Sequence, residues 1–330
     1  MRWFLPALIA TLTTIAAPVA ADCGGPSLLD QLTAAETAAL QTQTSQIPYA
    51  SGTQWIATRG ADTVTLIGTL HLADPRLAPV HAGLQDAVAA ADVVLLEATP
   101  FEMALAESEF ATNPDLMFIT DGPTLPERLD DATWNALAEA ATARQIPPFL
   151  AAKMQPWFLS MSLAIPACAM ANIAAQEPGL DQMIMDTAEY ADTPMLALEA
   201  YDTLFDIFRS GTPDEQLEAL KLSLLAPDLQ QAMHIATLDA YFDEDIGKLI
   251  ALSRVVIGRF NLPDVEQASQ MMAEIERAVL DDRNRAWMPV IAKTMQSYDD
   301  AVLAVGAAHL PGDVGLLRLL EAKGWTISPR

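Results

Sequence analysis

Apolar and polar positions follow two periods along the chain. Residues 27–41 carry Leu28, Leu29, Leu32 and Leu40 largely on one side at helical spacing. Residues 54–58 read as a strand, Arg59-Gly60-Ala61-Asp62 as a turn and 63–68 as a second strand, which makes a β-hairpin. Residues 79–91 are helical. Asp92-Val93-Val94-Leu95-Leu96-Glu97 is a short apolar run closed by Pro100, and an unbroken run suits a strand covered on both faces, as in parallel sheets. Residues 124–143 are helical up to Pro147-Pro148, and 179–190 are helical again. Thr193-Pro194-Met195-Leu196-Ala197-Leu198-Glu199 repeats the pattern of a strand ending in Glu. Residues 201–298 look helical almost throughout and contain no convincing strand. Ala301 to Gly306 is another apolar strand. A last helix starts at Gly312-Asp313 with Asp313 as N-cap and ends at Gly324, and 325–328 form a closing strand. The expected fold is α/β with α+β character: a central mixed sheet flanked by helices, with a large all-helical insertion between the Glu199 strand and the last strand.

Two segments raise the question of a membrane. Residues 1–21 combine Arg2, an apolar stretch and the small residues Val19-Ala20-Ala21, which is the form of a cleavable secretory signal. Asp22 before Cys23 argues against lipidation. Residues 154–176 hold 23 positions without a charge, but Pro156 and Pro166 interrupt them and Gln155, Ser160, Ser162 and Asn172 dilute them. A buried helical pair fits better than a span, so membrane integration is not expected. The expected organisation is a signal (1–21) and one domain (22–330) containing a helical subdomain (201–298), in a periplasmic or secreted protein.

The net charge of −25 repels phosphate backbones, so nucleic acid is not an expected partner; a peptide or small molecule is. The only cysteines are Cys23 and Cys168. In an oxidising compartment they are expected to pair, tying down the N-terminal segment, and they exclude a Cys-rich zinc site.

The chemistry sits where strands stop. Four apolar strands end in residues that bind metals or move protons: at His71, at Glu97, at Glu199 and at His309. Ligands of α/β sheets bind outside the carboxyl ends of strands, so these ends can converge. Gly68-Thr69-Leu70-His71-Leu72 also echoes Gly306-Ala307-Ala308-His309-Leu310 at Gly, His and Leu. A lone histidine at a strand end is usually a polar surface cap. The repeated context favours function for both His71 and His309, with Gly68 and Gly306 letting the backbone turn or a cofactor approach. His81 and His234 lack that context and read as surface or packing residues. Arg283 on a helix reads either as a partner of neighbouring acids or as a cation reaching into the site. The chain has no H-E-x-x-H, no G-x-S-x-G, and neither nucleotide-binding glycine motif.

These residues resemble the TraB/GumN family. The resemblance rests on Leu66-Ile67-Gly68-Thr69-Leu70-His71, Leu95-Leu96-Glu97, Gly179-Leu180-Asp181, Leu198-Glu199, Arg283-Asn284 and the block from Val305 to Gly315, in the family's order. Lys153, Pro156 and Trp157 fit a further recurrent segment. The resemblance implies a fold similar to erythromycin esterases and to a haem-binding lipoprotein group. It also implies kinship with the TIKI proteins, metal-dependent proteases that use two GxxH motifs with manganese or cobalt.

The expected activity is therefore metal-assisted hydrolysis of a peptide bond. His71 and His309, with Glu97 or Glu199, would hold one divalent ion, and this ligand set suits manganese, cobalt, iron or zinc. The carboxylate left free would act as general base and Arg283 would stabilise the oxyanion. The rival readings are a metal-free hydrolase with a histidine base, a non-catalytic haem- or peptide-binding protein, and an envelope scaffold.

Overall fold

The computed structural model describes residues 23–260 and 264–330, so the expected signal at 1–21 lies outside the described residues. Six strands form one mixed sheet in the order β4-β3-β5-β2-β1-β6. They are β1 (Gln54–Arg59), β2 (Asp62–Thr69), β3 (Val93–Leu96), β4 (Met195–Ala197), β5 (Asp300–Gly306) and β6 (Thr326–Pro329). β4, β3, β5 and β2 run parallel, while β1 is antiparallel to both β2 and β6. The hairpin turns at Gly60, whose φ of 66° is left-handed and costs glycine least.

The unbroken apolar runs are explained by two-sided burial. Val93 and Leu95 of β3, with Ala301, Leu303 and Val305 of β5, face one core, which Trp287 and Ile291 cover. Val94 and Leu96, with Val302 and Ala304, face the other, which Leu84, Val88, Leu180 and Ile184 cover. Alternate side chains on a strand point to opposite faces, so a strand between two helical layers has no position for a polar residue until it ends.

Several boundaries differ from the sequence reading. The first long helix is Ala34–Thr44, because Thr33 and Glu36 form a capping box that starts it later than residue 27. Residues 79–91 divide into Leu77–Ala82 and Gln85–Ala90, separated at Gly83-Leu84. Pro100 closes no strand; it is the first residue of a helix, Pro100–Thr112, with Thr99 and Glu102 as its capping box. Asp313 caps nothing: the last helix is Leu316–Glu321 behind Gly315. Gly324 does end it, at φ 86°, with its N–H on Glu321 and that of Trp325 on Leu320.

The uncharged stretch is two short helical segments, Pro156–Ala164 and Ala167–Ala174, bent by 78° about the break at Pro166, with Trp157, Leu159 and Leu163 buried. Among the described residues no single helix is long and apolar enough to cross a membrane. Between β4 and β5 every described element is helical. Cys23 and Cys168 form a disulfide, as expected.

Candidate functional site

The parallel strands deliver all four expected side chains to one sheet edge. β2 and β5 pair in register, Gly68 opposite Val305 and Thr69 opposite Gly306, so the two GxxH turns leave the sheet side by side. A Cβ on Gly68 would lie 2.9 Å from the Cα of Ala307, so this glycine serves the close approach of the two turns. Gly306 has a different task. A Cβ there would stand 3.2 Å from His71 Nε2 and 3.4 Å from Glu97 Oε1, inside the site.

Two helices bring the remaining groups from opposite faces. Leu180–Tyr190 starts at the sheet edge with Asp181 in its first turn, and Arg283–Thr294 starts there with Arg283. The six residues before Arg283, Arg277–Asp282, form a π-helix. Such insertions re-aim the side chains that follow them and recur at functional sites.

Arg283 is the centre of the constellation and is 4% exposed. Its Nη2 donates to Glu97 Oε2 and to Glu199 Oε1, both at 2.6 Å. Its Nε donates to Glu199 at 3.0 and 3.1 Å. Its Nη1 donates to the Val279 carbonyl at 3.1 Å and to His309 Nε2 at 3.2 Å. A guanidinium has five N–H groups, and every one is engaged here. Arg283 therefore has no N–H left for a substrate oxygen. Glu199 is similarly committed, since its Oε2 also accepts from Trp287 Nε1 at 2.8 Å.

His309 is buried in the neutral form with its proton on Nδ1. Asn284 Nδ2 donates to the carbonyls of His309 and Val314, so its Oδ1 must accept, and it does so from His309 Nδ1 at 2.7 Å. The lone pair on Nε2 then faces Arg283, which can only donate. Burial, opposed by the charge of Glu97 and aided by Arg283, pushes the His309 pKa down to about 4.

His71 is the open member, with its side chain 58% exposed. Its Nδ1 lies 3.2 Å from Asp181 Oδ1. Gly179 makes that contact possible, because a Cβ there would fall 2.3 Å from the His71 carbonyl oxygen. Leu180 N–H then bonds the Leu70 carbonyl and docks the helix start under the turn. Desolvation opposes a charge on His71, but the bond to Asp181 and the charges of Asp181 and Glu97 outweigh it and raise the pKa to about 9. Burial likewise works against a charged Glu97. His309, His71, Arg283 and the Gly306 N–H, which donates to Oε1 at 2.7 Å, outweigh it and hold the carboxyl at about 2.

Both imidazoles turn Nε2 toward the same atom: His71 and His309 each lie 3.9 Å from Glu97 Oε1. The site opens into a cleft of about 390 Å³ that Thr69, His71, Glu97, Asp181, Glu199 and Arg283 share in lining. Asp181 and Asn284 were not picked out as site residues in the sequence. The signals for them were the Gly-Leu-Asp triplet opening a helix and the Arg-Asn pair. His81, read as a surface or packing residue, bridges to Thr187 at 2.7 Å.

The sequence model of the TraB/PrgY/gumN family matches residues 53–329, which takes in every site residue just described. No curated protein matches the chain.

Proposed function

The chain belongs to the TraB/PrgY/gumN family, and from that premise we propose that it is a metal-dependent hydrolase acting on peptide bonds in the periplasm or outside the cell. One observation carries the reading. Two imidazoles from remote parts of the chain present Nε2 to one carboxylate oxygen, Glu97 Oε1. Behind each ring stands a polar group at Nδ1: Asn284 accepts from His309, and Asp181 lies 3.2 Å from His71. Outer partners of this kind are what metal-bound histidines use.

Among the described residues no group of three His, Cys, Asp or Glu side chains is already arranged to hold an ion. Two ligand bonds of about 2.1 Å at a tetrahedral angle span ~3.4 Å, so each histidine nitrogen, now 3.9 Å from Glu97 Oε1, would have to close by about half an ångström, and His309 Nε2 would have to leave Arg283. His71, His309 and Glu97 would hold it, and the mixed nitrogen and oxygen donors suit manganese, cobalt, iron or zinc. Bound there, the ion would supply a water acidified toward pKa ~7 and a Lewis acid for a carbonyl oxygen.

The chain's own groups divide the remaining work. Arg283 neutralises Glu97 and Glu199 and fixes both carboxylates with His309, so it orients groups and acts on developing charge through its field. Glu199 and Trp287 hold Arg283 in place. His71, open to solvent, would serve as a ligand when the ion is bound, and only without an ion would its Nε2 be able to exchange a proton with a substrate in the cleft.

A second reading, hydrolysis without an ion, is favoured by one contact: Arg283 already occupies the His309 Nε2 lone pair that a metal would need. The two separate on metal analysis of the purified protein and of His71→Ala and His309→Ala, with activity followed through EDTA treatment and metal add-back. The metal-dependent reading expects roughly one ion per chain, lost in both variants, and activity that returns with the ion. Activity indifferent to chelation selects the second reading. The Cys23–Cys168 disulfide supports export, since such bonds persist in oxidising compartments.

A further inference from the structure

The cleft at His71 has an apolar side that the hydrolytic scheme leaves without a task. Met103 and Ala106 of the Pro100–Thr112 helix, Met185, and Leu204 with Phe205 of the Thr203–Phe208 helix line it, facing Glu97 and Glu199. This wall is formed in advance. The Phe205 ring packs edge-on against Phe110 at 4.7 Å and lies 6.1 Å from Trp157, so it is held where it stands. The Pro100–Thr112 helix, by contrast, buries none of its residues, and Met103 is 43% exposed. An apolar wall left to water beside a few convergent polar groups is the usual composition of a ligand site.

Charge narrows the ligand. Glu97, Asp181 and Glu199 line the same cleft. The nearby guanidinium has no N–H to spare, which leaves His71 as the one cation facing three carboxylates and disfavours an anionic substituent.

We propose that this wall is the subsite for a bulky apolar side chain next to the scissile bond, with Met103 and Leu204 setting the preference. The substrate class is then a peptide with Leu, Met or Phe beside the cleaved bond. The proposal rests on the hydrolase reading above, and it deepens that reading by naming what the cleft selects.

The test uses the purified protein and a synthetic decapeptide library of defined composition, with cleavage positions read by mass spectrometry. The wild type is expected to cut beside Leu, Met or Phe at least tenfold more often than beside Asp or Glu, in line with the ~10- to 200-fold that a methylene in an apolar pocket is worth. Met103→Asp and Leu204→Ala are expected to reduce that preference about tenfold while metal content stays unchanged. Cleavage without apolar preference, or a preference untouched by both substitutions, overturns the subsite and leaves the hydrolase reading standing. If the wild type cuts nothing, the hydrolase reading falls, and retention of the same library on immobilised protein then decides the subsite. Selective retention of apolar peptides by the wild type, lost in Met103→Asp, supports it; equal retention by both proteins overturns it. Met103 lies at the surface, so its substitution leaves the fold intact, which circular dichroism verifies.

Discussion

Asn284 fixes the tautomer of His309: its amide nitrogen is held by two backbone carbonyls, which leaves its oxygen to accept the Nδ1 proton at 2.7 Å. Asn284→Ala removes this lock and strands buried polar groups, at about 1–3 kcal/mol for each one left without a partner. Nitrogen-15 NMR of the histidine rings is expected to show a pure Nδ1–H form for His309 in the wild type and, in the variant, the same tautomer held by Arg283 alone with a shifted Nδ1 resonance. An Nε2–H signal for His309 in the wild type would refute the assignment.

Arg283 holds Glu97 and Glu199 together in a site from which water is largely excluded. Arg283→Met leaves two part-buried carboxylates facing one another and is expected to cost up to about 3–5 kcal/mol in urea unfolding. Arg283→Lys keeps the charge but cannot reach five acceptors at once, so it recovers only part of the loss. A loss below about 1 kcal/mol, the level of a solvent-exposed pair, would mean that the cluster is not closed as described.

Stability has opposite pH limbs with different owners. His309, near 4 against an ordinary 6.5, takes up its proton more readily when unfolded, so its contribution is full above pH 6.5 and is lost as pH falls through 4. Glu97, near 2 against 4.5, adds a contribution full above 4.5 and lost as pH falls through 2. His71, raised to about 9, contributes fully below 6.5 and loses that as pH rises through 9. The melting temperature of the metal-free protein is therefore expected to peak near pH 6.5. It falls clearly on the acid side and only slightly on the alkaline side, where the exposed His71 is screened by solvent. His309→Gln should flatten the limb between 6.5 and 4, and His71→Gln the limb between 6.5 and 9. Unchanged curves in both variants would assign the limbs to other groups.

Ion uptake is expected to carry the same signature. A histidine must be deprotonated to ligate, and His71 is protonated until about pH 9 without an ion. Manganese titrated into the metal-free protein should release protons and bind at least tenfold more tightly at pH 8.5 than at 6.5. Affinity flat across that range would remove His71 from the ligand set.

The disulfide closes a loop of 145 residues between Cys23 and Cys168. Replacing both cysteines with Ala frees that loop in the unfolded chain and is expected to cost about 2–4 kcal/mol. The His309 signal should not move, because Arg283 and Asn284 hold that ring independently of the bridge. A displaced His71 resonance would show that Cys23, which lines the pocket beside His71, also shapes the site.

Some of the misread elements carried legible signals. Thr99-Pro100-Phe101-Glu102 holds a capping box and a proline at the first helical position, yet the proline alone suggests a stop. Asp313 has the right residue type for an N-cap, but Gly315 starts the helix two residues later, because cap preference does not fix where a chain turns. The extent of burial was more readable for the central strands: the apolar β3 and the apolar run of β5 lie between two layers, whereas β4, equally apolar, is an edge strand that leaves Leu196 exposed.

The sequence by itself determined that four strand ends carry His71, Glu97, Glu199 and His309, because an apolar run sandwiched by helices admits polar chemistry only where it stops. Tertiary structure decided what each group is free to do. Strand order set the rings against one carboxylate, and a π-helix and two helix starts on opposite faces aimed Arg283 and Asp181 inward. Hydrogen-bond saturation then turned Arg283 and Glu199 from reacting groups into fixtures. Donors and acceptors are exhausted pairwise in three dimensions, and no spacing along a chain counts which of them remain open.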